Sequence, residues 1–131
     1  MCLCVTQVDY LFITGMFPDV IQIAAAIDDE TEFCRYVFPR EKKIPKRIVK
    51  MTGISFKSGK MYSNGSEVPG HSMRDALLAF IHFLPRNSVL VGHAMHDYDA
   101  PLLIHHMKKQ RLLEQFFRKV HGLLDSLLFL L

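Results

Sequence analysis

Val20-Ile21-Gln22-Ile23-Ala24-Ala25-Ala26-Ile27 is an apolar run broken only by Gln22. A run of this length between turn residues suits a buried strand better than a helix. Asp28, Asp29, Glu30 and Thr31 follow it and read as a hairpin connection. Residues 33–38 (Phe-Cys-Arg-Tyr-Val-Phe) repeat the β-rich pattern and stop at Pro39. Upstream, residues 5–14 are rich in Val, Tyr, Phe and Ile and end at Gly15, so the N-terminal third reads as three strands.

The signals then alternate. Pro45 opens a short helical stretch closed by Gly53. Residues 55–70 hold Gly59, Gly65, Gly70, four serines and the Asn64-Gly65 pair, and read as a loop. Ser72 is a candidate N-cap with Asp75 three positions on. Met73, Ala76, Leu77, Phe80, Ile81 and Leu84 then recur at the helical period, and Pro85 stops the helix. Residues 88–91 read as a buried strand ending at Gly92, residues 99–110 and 112–120 as helices, and Leu123 begins a strand or helix. This succession predicts an α/β or α+β sheet domain.

The chain has 131 residues, the size of one domain, so residues 1–131 are expected to form a single unit. Half of the residues are apolar and 22% are charged, which excludes a disordered tail. No apolar stretch reaches the roughly 20 residues of a membrane span, and Asp125 interrupts the most apolar one. Residues 1–8 lack the basic start of a secretory signal. Cys2, Cys4 and Cys34 lack zinc-finger spacing, which predicts reduced thiols in an intracellular protein of the nucleus or cytoplasm. Cys34 is expected to be a small buried hydrophobe. The net charge is +3. Arg40, Lys42, Lys43, Lys46, Arg47 and Lys50 cluster against the single acid Glu41, either as a phosphate-binding patch or as a solvated face with Ile44, Ile48 and Val49 turned inward.

Four segments carry a resemblance. Pro18-Asp19-Val20-Ile21-Gln22-Ile23-Ala24-Ala25-Ala26 comes first, then Tyr36-Val37-Phe38-Pro39 with Thr52-Gly53-Ile54. Val89-Leu90-Val91-Gly92-His93-Ala94-Met95-His96-Asp97-Tyr98-Asp99-Ala100-Pro101-Leu102-Leu103 is the third, and Gly122-Leu123-Leu124-Asp125-Ser126-Leu127 the fourth. In this order they resemble the DEDDh exonucleases, the DnaQ-like branch of the ribonuclease H-like fold. The resemblance implies a three-layer α/β sandwich, a mixed sheet flanked by helices, with the C-terminal part missing. It also implies 3′–5′ hydrolysis of DNA or RNA and a single-stranded 3′ end as partner. Two Mg²⁺ or Mn²⁺ ions held by carboxylates would serve as cofactors, because hard cations take oxygen ligands.

Carried over residue by residue, Asp99 matches a catalytic, metal-binding carboxylate. Thr14, Gly15 and His93 match substrate-binding positions. Tyr10 and Phe12 fall on the two first-strand carboxylate positions, and Asp9 is one residue away, on the opposite face of a strand. The final H-x-x-x-x-D motif is missing, since His121 and Asp125 stand one residue too close. Asp28-Asp29-Glu30-Thr31 spells D-x-E-T, but after the apolar strand instead of before it, as a polar turn. Asp97 and Asp99 have a second reading as helix-start residues favoured by the dipole. His105 and His106 point to different faces. Phe80, Phe83, Phe116 and Phe117 read as core. The expectation is an exonuclease-family domain, impaired in catalysis, that binds nucleic-acid 3′ ends with no membrane partner, either with the implied metal or with none bound. The alternatives are a non-catalytic nucleic-acid- or protein-binding domain and a non-functional gene fragment.

Overall fold

The computed structural model describes residues 2–11, 18–92 and 99–125, and within 2–11 the backbone together with the Cys4 side chain. The N-terminal third forms strands β1 (Cys2–Leu11), β2 (Asp19–Ala26) and β3 (Glu32–Val37). These pair as an antiparallel meander. The β2–β3 turn forms as expected from its composition. Oδ1 of Asp28 accepts the backbone N–H groups of Glu30 and Thr31, each at 2.8 Å. The D-x-E-T tetrapeptide is thus held as an Asx-type turn.

β2 is buried on both faces, and an irregularity in its pairing explains how. Asp9 of β1 lies opposite Gln22 and Tyr10 opposite Val20, so Ile21 is one extra residue. Such a bulge changes the parity of the strand. Val20, Ile23 and Ala25 therefore join one core cluster and Ile21 another.

Residues 55–70 are not a loop. They contribute to a three-stranded antiparallel sheet of β4 (Ile54–Lys57), β5 (Lys60–Ser63) and β6 (Ser66–Val68). Ser58-Gly59 and Asn64-Gly65 form its two-residue turns, with φ of 53° and 79°, and 50° and 86°. Positive φ at both central residues is the backbone of tight hairpins whose twist matches the strands. Met61 and Ile54 of this sheet join Ile21 of β2 and Ile48 of helix α1 (Lys46–Thr52) in the smaller core.

A short strand β7 (Gly70–His71) runs parallel to β3. Helix α2 (Met73–Phe83) follows, with Ser72 accepting the Asp75 backbone N–H at 3.1 Å, as its cap signal predicted. Strand β8 (Ser88–Gly92) pairs parallel to β1. Helices α3 (Ala100–Lys109) and α4 (Leu113–Lys119) then cross back to β9 (Val120–Asp125), parallel to β8. The last strand begins at Val120, three residues before the expected Leu123, because α4 ends at Lys119. The sheet order is β7-β3-β2-β1-β8-β9. Phe80 and Phe116 are fully buried in the larger core with Leu77, Leu90, Leu103 and Met107.

Two sequence expectations about side chains are corrected. Cys34 is exposed, and its Sγ accepts from Gln22 Nε2 at 3.2 Å. Phe33 and Val37 take the inward positions of β3, so Cys34 faces outward. Phe117 is 42% exposed, because its neighbour Phe116 takes the inward direction of α4. Among the described residues no helix is long and apolar enough to cross a membrane.

Candidate functional site

In open α/β sheets ligands bind beyond the carboxyl ends of parallel strands. Here those ends belong to β1, β8 and β9, which all run in one direction. Gly92, at the end of β8, is in register with Asp125 at the end of β9. Asp125 is 6% exposed and Asp99, on the connection from β8 to α3, is 8% exposed. Acidic groups are rarely buried without a reason. Leu11, at the end of β1, lies opposite Asp19, the first residue of β2, whose side chain is also buried.

Asp99 directly precedes α3 but does not cap it. Its backbone is already helical (φ −67°, ψ −43°), and its side chain makes no capping hydrogen bond. Its position still favours a negative charge through the helix dipole. Of the other residues expected at the site, Thr14, Gly15 and His93 lie outside the described residues, as do Phe12 and Asp97. Tyr10 is described through its backbone, at the bulge opposite Val20.

Three features at this edge were not assigned a role by the sequence. The first is the pairing of Asp19 with Arg40, which lies between β3 and α1. Arg40 donates its backbone N–H to Asp19 Oδ2 at 2.8 Å, and its Nε stands 3.4 Å from Oδ1. Arg40 is thereby taken out of the basic run. The second is His106 on α3, buried, with Nε2 3.2 Å from the Pro18 carbonyl. A neutral ring with its proton on Nε2 donates this bond. Burial pushes the His106 pKa below the usual 6.5, opposed by the Pro18 hydrogen bond. His105 is also lowered, first by burial and then by Lys109 and Arg40. The two rings meet edge-on with centroids 5.0 Å apart, although only His106 is buried. The third feature is Asp125, which the sequence placed in the fourth resembling segment without a role at the site.

The remaining cations of the basic run lie on or just before α1. Ile48 is buried and Ile44 packs against the smaller core, so the inward face expected of this run is present at these two positions, whereas Val49 is half-buried and not part of that core. Lys42, Lys43, Lys46, Arg47 and Lys50 are exposed. None of them forms an ion pair among the described residues.

The resemblance implies divalent metal ions, which require several converging hard ligands. Among the described residues no three His, Cys, Asp or Glu side chains form such a group. Among the described residues Asp99 and Asp125 are the buried carboxylates near the ends of β8 and β9, and Asp19 pairs with Arg40. These residues do not make up the ligand set of a two-metal centre.

No protein-family model matches the chain, and no curated protein matches it in sequence. Solved structures do match in fold. One is E. coli exonuclease I in complex with a dT13 oligonucleotide, with TM-score 0.69 and 11% identity over 95% of this chain and 28% of that one. A zinc-bound form of an E. coli exonuclease I–single-stranded DNA complex matches with TM-score 0.71 and 11% identity, over 98% of this chain and 28% of that one. Product-bound exonuclease I matches with TM-score 0.71 and 12% identity, over 98% of this chain and 30% of that one. The chain spans less than a third of the length of these structures and has the mixed α/β fold of that part of exonuclease I.

Proposed function

We propose that the chain is a single ribonuclease H-like domain of the DEDDh exonuclease type that binds single-stranded nucleic-acid 3′ ends and is impaired in hydrolysis. The fold likeness to exonuclease I over 98% of the chain carries this reading. The buried Asp99, at the sheet edge where such folds bind ligands, supports it as the one retained catalytic position. The exposed cations on and before α1 supply a surface for phosphates. Impairment follows from the donors. Two-metal hydrolysis needs carboxylates to hold both ions and a base to activate water. Tyr10 and Phe12 fall on two of those positions.

The test is a 3′-labelled single-stranded oligonucleotide incubated with the purified chain in Mg²⁺ or Mn²⁺. Binding in an anisotropy assay without shortening of the label is the expected result. Shortening that disappears in Asp99→Ala would restore the active-enzyme reading. Failure to bind any oligonucleotide would leave the protein-binding and gene-fragment readings.

A further inference from the structure

The described residues hold an open cleft of about 530 Å³ lined by Ile81, Arg86, Gln115, Arg118 and Lys119. It lies at the other end of the sheet from Asp99. Arg86 precedes the first residue of β8, and Lys119 precedes the first residue of β9, whereas Gly92 and Asp125 end those strands. The two cationic walls therefore come from different elements, the α2–β8 turn and the end of α4.

The donors of these walls are only partly used. Lys119 Nζ donates to the carbonyls of Ile81 at 2.8 Å and His82 at 3.4 Å, in the last turn of α2. An ammonium has three N–H donors, so one is left for a ligand. Arg118 pairs with Glu114 at 2.7 Å, but the two side chains are 69% and 83% exposed, and a pair so exposed holds weakly. Arg86 is exposed and forms no ion pair among the described residues.

A carboxylate presents two oxygens on one centre, whereas a diphosphate presents oxygens on two adjacent centres. Bridging guanidinium groups on both walls calls for several anionic oxygens on adjacent centres, and guanidinium forks match phosphoryl oxygens well. The apolar Ile81 wall and a volume within the usual range of small-molecule sites, about 300–1,000 Å³, leave room for an organic group. We infer that this cleft binds a diphosphate-bearing small molecule between Arg86 and the Arg118–Lys119 pair, at a site separate from the one at the strand carboxyl ends.

The experiment is a ¹H–¹⁵N NMR titration of the full chain at constant ionic strength, with inorganic diphosphate in one arm and ADP in the other. Shifts should concentrate at Ile81, Arg86, Gln115, Arg118 and Lys119 in both arms. Tighter binding of ADP assigns the organic group to the cleft, and equal binding assigns the diphosphate alone. Arg86→Gln with Arg118→Gln should weaken binding at least about tenfold, measurable as a change in Kd. The exposure of both arginines lets the fold survive, which the undisturbed part of the spectrum verifies. Charge reversal at Lys42, Lys43, Lys46 and Arg47 should leave diphosphate binding unchanged. Sulfate binding as tightly as diphosphate, shifts confined to residues 40–50, or no saturable shift would overturn the inference without touching the nucleic-acid reading.

Discussion

Arg40 grips Asp19 twice, through its backbone N–H at 2.8 Å and its Nε at 3.4 Å, and so closes the start of β2 onto the segment between β3 and α1. The Asp19 side chain is 4% exposed and that of Arg40 36%. Asp19→Ala breaks both contacts, whereas Arg40→Ala breaks the guanidinium contact alone. Asp19→Ala should cost about 1–3 kcal/mol in urea denaturation. Arg40→Ala should cost less, because the backbone donor survives it. Equal losses in the two variants would show that the guanidinium, not the backbone bond, holds the junction.

Nucleic-acid binding should be electrostatic and independent of Arg40. If about four cations among Lys42, Lys43, Lys46, Arg47 and Lys50 contact phosphates of a single strand, log K should fall with log salt at a slope of about −3. Charge reversal at Lys42, Lys43, Lys46 and Arg47 should abolish binding, as read by anisotropy. Unchanged affinity would return the run to a solvated face.

His106 should make stability pH-dependent. Its folded pKa lies below the usual 6.5, so the unfolded chain takes up the proton first as pH falls. Its stability contribution is complete above 6.5 and is lost as pH drops toward and through the lowered folded value. Melting temperature should therefore decline as pH falls below about 6.5, and His106→Gln should flatten that decline. An identical slope in the variant would assign the effect to other groups.

Gly53 closes α1 at φ 76°, and a Cβ there would meet Asn64 Oδ1, whose residue donates its backbone N–H to the Gly53 carbonyl at 2.8 Å. Gly53→Ala should destabilise by about 1–3 kcal/mol by combining left-handed strain with this collision. Calorimetry on Gly53→Ala with and without Asn64→Gly separates the two, since the second change relieves only the collision.

Magnesium should leave the melting temperature nearly unchanged, because a ligand stabilises only the state whose groups bind it. Tyr10→Asp with Phe12→Glu should lower stability in chelator through carboxylate repulsion and make it metal-responsive. A rise with Mg²⁺ in the unmodified chain that is lost in Asp99→Ala would mean that the site holds metal after all.

Where the controlling interactions are short-range, the sequence by itself was decisive. The Ser72 cap and its apolar period defined α2, the Pro45 and Gly53 pair bounded α1, and the acids after Ile27 made the turn that Asp28 holds. Hydrogen bonds three residues apart and side-chain periodicity need no distant partner. The small sheet was less legible. Its Ser58-Gly59 and Asn64-Gly65 turns are local signals, but its polar strands gained an inward face only when Ile54 and Met61 met Ile21 and Ile48. Tertiary structure alone decided which face of β3 was covered, leaving Cys34 outside, and where the bulge let β2 serve two cores. It alone joined Asp19 to Arg40, which are 21 positions apart, and brought buried Asp125 into register with Gly92. A strand's alternation specifies two faces without saying which is buried, and a carboxylate's partner is set by where the chain returns, which is a property of the closed sheet.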